Sequence, residues 1–132
     1  MVDAALVVAA LVDAGPDGAW AEGVVLSHAL AAPHLLPVEV AGVLRRAVRE
    51  GALGEDAGSL AHADLLSLRI ELFPYEPFGP RVWELRGGVT AYDAWYVALA
   101  EHLEAPLATL DRRLARCGGA RCAFRLPALP GA

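Results

Sequence analysis

Four carboxylates stand where this chain can least easily carry charge. Asp3 is the sole charge in the apolar run Met1–Val12, and Glu39 interrupts Leu35-Leu36-Pro37-Val38-Glu39-Val40-Ala41. Asp93 is the sole charge between Gly87 and Ala100, and Asp111 ends the run Pro106-Leu107-Ala108-Thr109-Leu110. A carboxylate withdrawn from water is costly unless something compensates it. One compensator that serves several acids at once is a hard divalent cation, which takes oxygen ligands. Two such ions about 3.5–4 Å apart can activate a water and stabilise the leaving oxygen of a phosphodiester. Magnesium and manganese suit an all-carboxylate set, whereas zinc favours His or Cys. His28, His34, His62 and His102 show no ligand spacing, and Cys117 and Cys122 fit no metal motif. In a chain with no export signal, free thiols are expected of that cysteine pair.

Each acid also has an ordinary reading. Asp93 and Asp111 could cap helices, Glu39 could answer a helix dipole, and Asp3 could be a solvated terminal residue. The elements around them decide between the two. Val2–Leu11 reads as a short buried strand turning into a helix, and Gly15-Pro16-Asp17-Gly18 as a break. Residues 20–30 read as a helix, 30–33 as a short strand, and Pro37 as the first turn of a helix reaching Glu50. A further helix over 54–68, a strand over 69–73, a loop over 74–80 and a helix over 81–86 follow. Gly87-Gly88 stops the last of these. Thr90 opens the next helix, to about Leu103, with Asp93 at capping-box spacing. Residues 106–110 read as a strand, 111–116 as a short helix and 122–126 as a final strand.

Strands alternating with helices predict an α/β fold: a three-layer α/β/α sandwich with a central, mostly parallel sheet. Ligands in such folds bind beyond the carboxyl ends of the strands. Asp111 follows its strand at that edge, and Glu39 and Asp93 sit in first helical turns that start there. Topology therefore gathers three of the four acids. Asp3, with two residues before it, is the weakest member.

The length, 132 residues, is that of one ordinary domain, expected over 1–126 with a frayed tail at 127–132. Hydrophobic residues make up 56% and the mean hydropathy is +0.41, so most elements should be buried on more than one face. No apolar stretch reaches the roughly 18 uncharged residues that a membrane span needs. The N-terminus also lacks the basic segment of a secretory signal, so a cytoplasmic protein with no membrane partner is expected. A net charge of −5 is unusual for a nucleic-acid binder, although bound cations would reverse the local field. All 11 basic residues are Arg. Arg45, Arg46, Arg112 and Arg113 flank Glu39 and Asp111, which makes them candidate phosphate contacts or plain solvated helix faces.

The order of acids and their settings resembles the PIN-domain ribonucleases, specifically the VapC toxin type. The matching stretches are Val2-Asp3-Ala4, the helix start Leu36-Pro37-Val38-Glu39-Val40, Thr90-Ala91-Tyr92-Asp93-Ala94, and Leu107-Ala108-Thr109-Leu110-Asp111. The resemblance implies an endoribonuclease that uses one or two Mg2+ or Mn2+ ions, held by Asp3, Glu39, Asp93 and Asp111. Thr109 would be a supporting polar group behind them or simply a β-branched strand residue. It also implies an RNA substrate, a VapB-type antitoxin bound in a groove near the acids, and a homodimer. Ala5 departs from the family pattern, which often has a small hydroxyl residue there. A housekeeping RNA-processing PIN nuclease, or a catalytically weakened PIN domain used for binding, are the alternatives. A haloacid-dehalogenase-type phosphotransferase would need a second Asp where Ala5 stands and a downstream Lys. A receiver domain would need that Lys too, and the chain has none.

Overall fold

The computed structural model describes residues 1–129, so residues 130–132 of the expected tail lie outside the described residues. The chain begins with helices α1 (Ala4–Val12) and α2 (Pro16–Ser27), then strand β1 (Leu30–Pro33). Next come α3 (Leu36–Arg49), α4 (Glu55–Ser67) and β2 (Ile70–Phe73). A 3-10 turn over Glu76–Phe78 leads into α5 (Gly79–Glu84), then α6 (Ala91–Leu103), β3 (Leu107–Ala108), a 3-10 turn over Leu114–Arg116, and β4 (Phe124–Arg125).

The sheet is parallel and very short-stranded. β1 pairs with β2 from Leu30 opposite Ile70 to Pro33 opposite Phe73, and β3 pairs with β4. The expected first strand is reduced to one residue. Val2 bridges Ala108, donates its N–H to the Ala31 carbonyl (3.2 Å), and Ala108 N–H reaches the Met1 carbonyl (2.9 Å). Val2 thereby stitches the two strand pairs into the order β2–β1–Val2–β3–β4. β1 and β3 are almost wholly buried, as strands covered on both faces should be.

The helices divide into two groups. α1 packs on α2, α3 and α4, while α6 packs on β1, β3 and α5. The arrangement is the expected helix–sheet–helix layering. α6 carries Ala94, Tyr96, Val97, Ala98, Leu99 and Ala100 buried, so it is covered nearly all round. Leu6, Val7, Leu36, Val40, Leu99 and Leu107 are fully buried and form the core with Val2. Each such side chain stabilises the fold by roughly 1.5–3 kcal/mol relative to exposure.

Several boundaries differ from the sequence reading, for local reasons. Of the expected Gly15-Pro16-Asp17-Gly18 break only Gly15 lies outside a helix, because Pro16 enters α2 at its first turn, where a missing N–H costs nothing. Gly18 is required there: a Cβ would lie 1.8 Å from the Asp13 carbonyl oxygen. The 74–80 loop contains the 3-10 turn and the start of α5. The helix expected over 111–116 is only a 3-10 turn. The last stretch before the undescribed residues is tied down, since Arg112 Nη2 donates to the Pro127 carbonyl. Among the described residues no single helix is long and apolar enough to cross a membrane.

Candidate active site

Asp3 is the N-cap of α1. Its backbone is extended, and its Oδ1 accepts the Leu6 N–H at 2.9 Å. The capping bond explains how an acid at residue 3 can start a helix at once. The side chain is only 8% exposed. Its other oxygen accepts the hydroxyl of Thr109, which is fully buried. The same Thr109 oxygen accepts the Asp111 N–H at 3.0 Å. One hydroxyl thus ties the acid that follows Val2 to the acid that follows β3. Thr109 lies just past the end of β3, so the polar role is the one the structure supports.

Asp93 enters from α6. Thr90 is that helix's N-cap, and its Oγ1 accepts the Asp93 N–H at 3.2 Å. Glu39 enters from the first turn of α3 and accepts the Tyr96 hydroxyl at 2.7 Å. Asp111 caps the 3-10 turn: its Oδ1 accepts the N–H groups of Arg113 (2.9 Å) and Leu114 (3.2 Å). Two of these acids, Asp3 and Asp111, accept capping hydrogen bonds, whereas the cap beside Asp93 is Thr90 rather than the acid itself.

The electrostatics reveal one shared field. Burial, first of all, raises the pKa of Asp3; the Thr109 and Leu6 hydrogen bonds oppose this, and Asp93 and Asp111 add to it. Burial likewise raises Glu39 against the Tyr96 hydrogen bond, with Asp93 adding to the rise. Asp93 is raised by burial and then by Asp111, while Thr90 and Arg113 pull it down. Tyr96 is held protonated far above the ordinary phenol range by its burial and by Glu39, Asp3 and Asp93. Asp3 thus feels Asp93 and Asp111, Glu39 feels Asp93, and Asp93 feels Asp111. Carboxylates that raise one another's pKa values ask for positive charge from outside.

The donors offered are all carboxylate oxygens, the preference of Mg2+ and Mn2+. Among the described residues, no three His, Cys, Asp or Glu side chains form a group that could hold an ion as they stand. A cleft of about 550 Å³ is lined by Asp93 and Asp111, with Arg86, Thr90 and Arg113 among others.

The four arginines singled out from the sequence part company. Arg113 lines the acid cleft. Arg45 lines a separate cavity between α3 and α4, and Arg46 is an exposed residue of α3. Arg112 is engaged with Pro127. Ala5 is exposed. Sequence reasoning missed two residues here. Tyr96 lies one helical turn beyond Asp93 and so on the same face, the signal by which it could have been found. Arg86 had no signal beyond its place before Gly87-Gly88. The histidines stay outside the site: His28 lies 3.3 Å from Arg125 Nη1, and His102 packs edge-on against Phe78.

Known proteins resemble this chain over most of its length. Ribonuclease VapC1 of Mycobacterium tuberculosis is 41% identical over 127 residues, 96% of each chain. Ribonuclease VapC9 of the same organism is 38% identical over 122 residues, covering 92% of this chain and 93% of its own. Among solved structures, PAE2754 from Pyrobaculum aerophilum superimposes with a TM-score of 0.68 at 24% identity, over 93% of this chain and 80% of that one. A chain of FitAB bound to an IR36 DNA fragment gives 0.66 at 21%, over 96% and 93%. The family model for the PIN domain matches residues 1–120, which span every acid described above, and the chain belongs to the PIN-domain family.

Proposed function

We propose that this chain is a metal-dependent endoribonuclease, the toxin of a VapBC-type pair, hydrolysing RNA phosphodiesters with Mg2+ or Mn2+. The observation that carries the reading is the shared field of Asp3, Glu39, Asp93 and Asp111 at one edge of a parallel sheet. Relatives at 38–41% identity bearing the name ribonuclease VapC support the substrate class. Bound divalent cations supply what the acids lack, positive charge for the scissile phosphate and for an attacking water. Asp3, Asp93 and Asp111, with Glu39, would hold one or two such ions.

The chain's own side chains set the stage for that chemistry. Thr109 fixes Asp3 and the Asp111 backbone in one register. Tyr96 orients Glu39 and, by staying protonated, keeps its hydroxyl a donor. Arg113 offers a cation at the cleft wall for phosphate oxygens. The family resemblance further implies a VapB-type antitoxin and a homodimer as partners. A housekeeping RNA-processing role would share the site, and a weakened binding module would keep the fold without turnover.

The test is cleavage of labelled RNA by purified protein in EDTA and after restoring Mg2+ or Mn2+, beside Asp93→Ala. Cleavage that needs the metal and Asp93 supports the nuclease. Equal RNA loss by Asp93→Ala, or none by either protein, rejects it. Growth arrest on expression, relieved by the product of an adjacent small gene, separates a toxin from a housekeeping enzyme.

A further inference from the structure

Trp83 is an exposed aromatic ring next to Arg86, one of the residues that line the acid cleft. Trp20 and Trp95 pack against the core, but Trp83 on α5 is 67% exposed. A large flat apolar ring left in water is an unfavourable use of tryptophan unless something covers it. The ring is not idle, because the Arg86 guanidinium carbon sits 4.8 Å from its centroid. Arg86 Nη1 also donates to the Trp83 carbonyl at 2.7 Å, which fixes the guanidinium in place over the indole. Arg86 in turn lines the cleft that contains Asp93, Asp111 and Arg113. A continuous strip thus runs from the acids, across two guanidinium groups, to an exposed indole.

That order of groups matches a nucleic-acid strand. Guanidinium groups bind phosphate oxygens through several N–H donors. Exposed aromatic rings stack unpaired bases, and an arginine plane extends the platform. With Arg86 over one face of the indole, the exposure belongs to the rest of the ring. We infer that Trp83 and Arg86 form a subsite for an unpaired nucleotide flanking the scissile phosphate, the base stacking on Trp83 and its phosphate paired with Arg86. The inference rests on the ribonuclease reading for its ligand, and what it adds is the pair of side chains that takes the unpaired nucleotide. A duplex keeps its bases stacked on each other and offers none to the ring.

The test measures binding and cleavage separately, using a fluorescein-labelled single-stranded RNA dodecamer and the same sequence annealed to its complement. Binding is read by fluorescence polarisation in EDTA, and cleavage with Mg2+ or Mn2+. Trp83→Leu, which keeps an apolar side chain but loses the π face, should weaken single-strand binding about 5- to 150-fold. KM should rise in step, with kcat changed less than about threefold, while duplex binding stays as in the wild type. Trp83→Phe should recover most of the loss. Arg86→Gln should weaken binding and flatten its salt dependence by about one phosphate contact. Wild-type single-strand binding by Trp83→Leu would overturn the subsite, as would equal losses on duplex and single strand. Unchanged RNA binding combined with loss of a co-purifying protein partner would give the ring to a protein surface, and would overturn it too. The ribonuclease reading fails differently, as cleavage indifferent to Asp93→Ala, and the binding arm reads Trp83 whether or not cleavage occurs.

Discussion

Asp93→Asn should make the metal-free protein more stable while abolishing metal-dependent cleavage. Asp93 lies in a field that raises its pKa, first by burial and then by Asp111, and it burdens Asp3 and Glu39 in return. The amide keeps the shape and the backbone N–H bond to Thr90. What is lost on the favourable side is the attraction of Arg113 and the Thr90 contact to the carboxylate. The opposing terms partly cancel. A net gain of about 1 kcal/mol is the expected scale for relieving charge at a functional site, and for a chain of this length about 3–5 °C in Tm. The pH dependence gives the sign an independent check. Asp3, Glu39 and Asp93 have folded-state pKa values raised above their unfolded values. Their contribution to stability is therefore fully present below the unfolded pKa, near 4. It is lost as pH rises through the raised folded values. In EDTA the advantage of Asp93→Asn should accordingly be larger at pH 8 than at pH 5. Adding Mg2+ at ten times its Kd should stabilise the wild type by about 1.4 kcal/mol and the variant by much less. Urea unfolding at both pH values, with and without Mg2+, measures all of this. A variant less stable than wild type at pH 8 in EDTA, or a gain that does not grow with pH, would refute the reasoning.

Tyr96→Phe removes the hydroxyl that Glu39 accepts but keeps the buried ring. With its hydrogen bond gone, Glu39 should titrate higher still, so the acid limb of the cleavage pH profile should move to higher pH and kcat fall about tenfold or more. An unchanged profile would make the contact incidental. Thr109→Val strips the shared hydroxyl from Asp3 and from the Asp111 N–H, and should cost about 1–3 kcal/mol in urea unfolding, with Thr109→Ser costing less than half of that. Gly18→Ala should be the most damaging of the glycine changes, because its Cβ would meet the Asp13 backbone at 1.8 Å. Gly23→Ala, with nothing within 4 Å, should instead raise stability by about 0.5–1 kcal/mol, and paired thermal melts decide both.

The legible part of the fold came from residues whose signal is local. Pro37 and Glu39 mark a helix start whatever lies around them, and Thr90 with Asp93 does the same. Leu107–Ala108 is recognisable as a strand because it is apolar and followed by a polar edge. What escaped was settled by contacts distant in sequence. Nothing in Met1-Val2 says that a single residue will join two strand pairs, because that needs Ala31 and Ala108 as neighbours. Trp83 reads as core by residue type, and only the packing of α5 on the far side leaves it in solvent. The four arginines near acids in sequence were separated by local backbone direction: Arg113 lines the cleft while Arg112, its neighbour in the turn before Leu114, reaches Pro127.

The weakest member of the quartet by sequence, Asp3, is the most constrained by structure. It is simultaneously the cap that starts α1, the partner of a fully buried hydroxyl and the most buried of the four acids. These roles support one another physically. A one-residue strand brings little pairing energy, so the position of Asp3 has to be secured by its own hydrogen bonds. The Leu6 N–H and the Thr109 hydroxyl do this from two different elements. Both are donors, and both favour the ionised form that a cation needs. Burial works the other way and wins in the metal-free protein. The balance leaves Asp3 held in position yet under-compensated, the condition in which an incoming divalent cation gains most. A longer first strand would fix Asp3 just as well, but the short one suffices because each carboxylate oxygen is held by its own hydrogen bond.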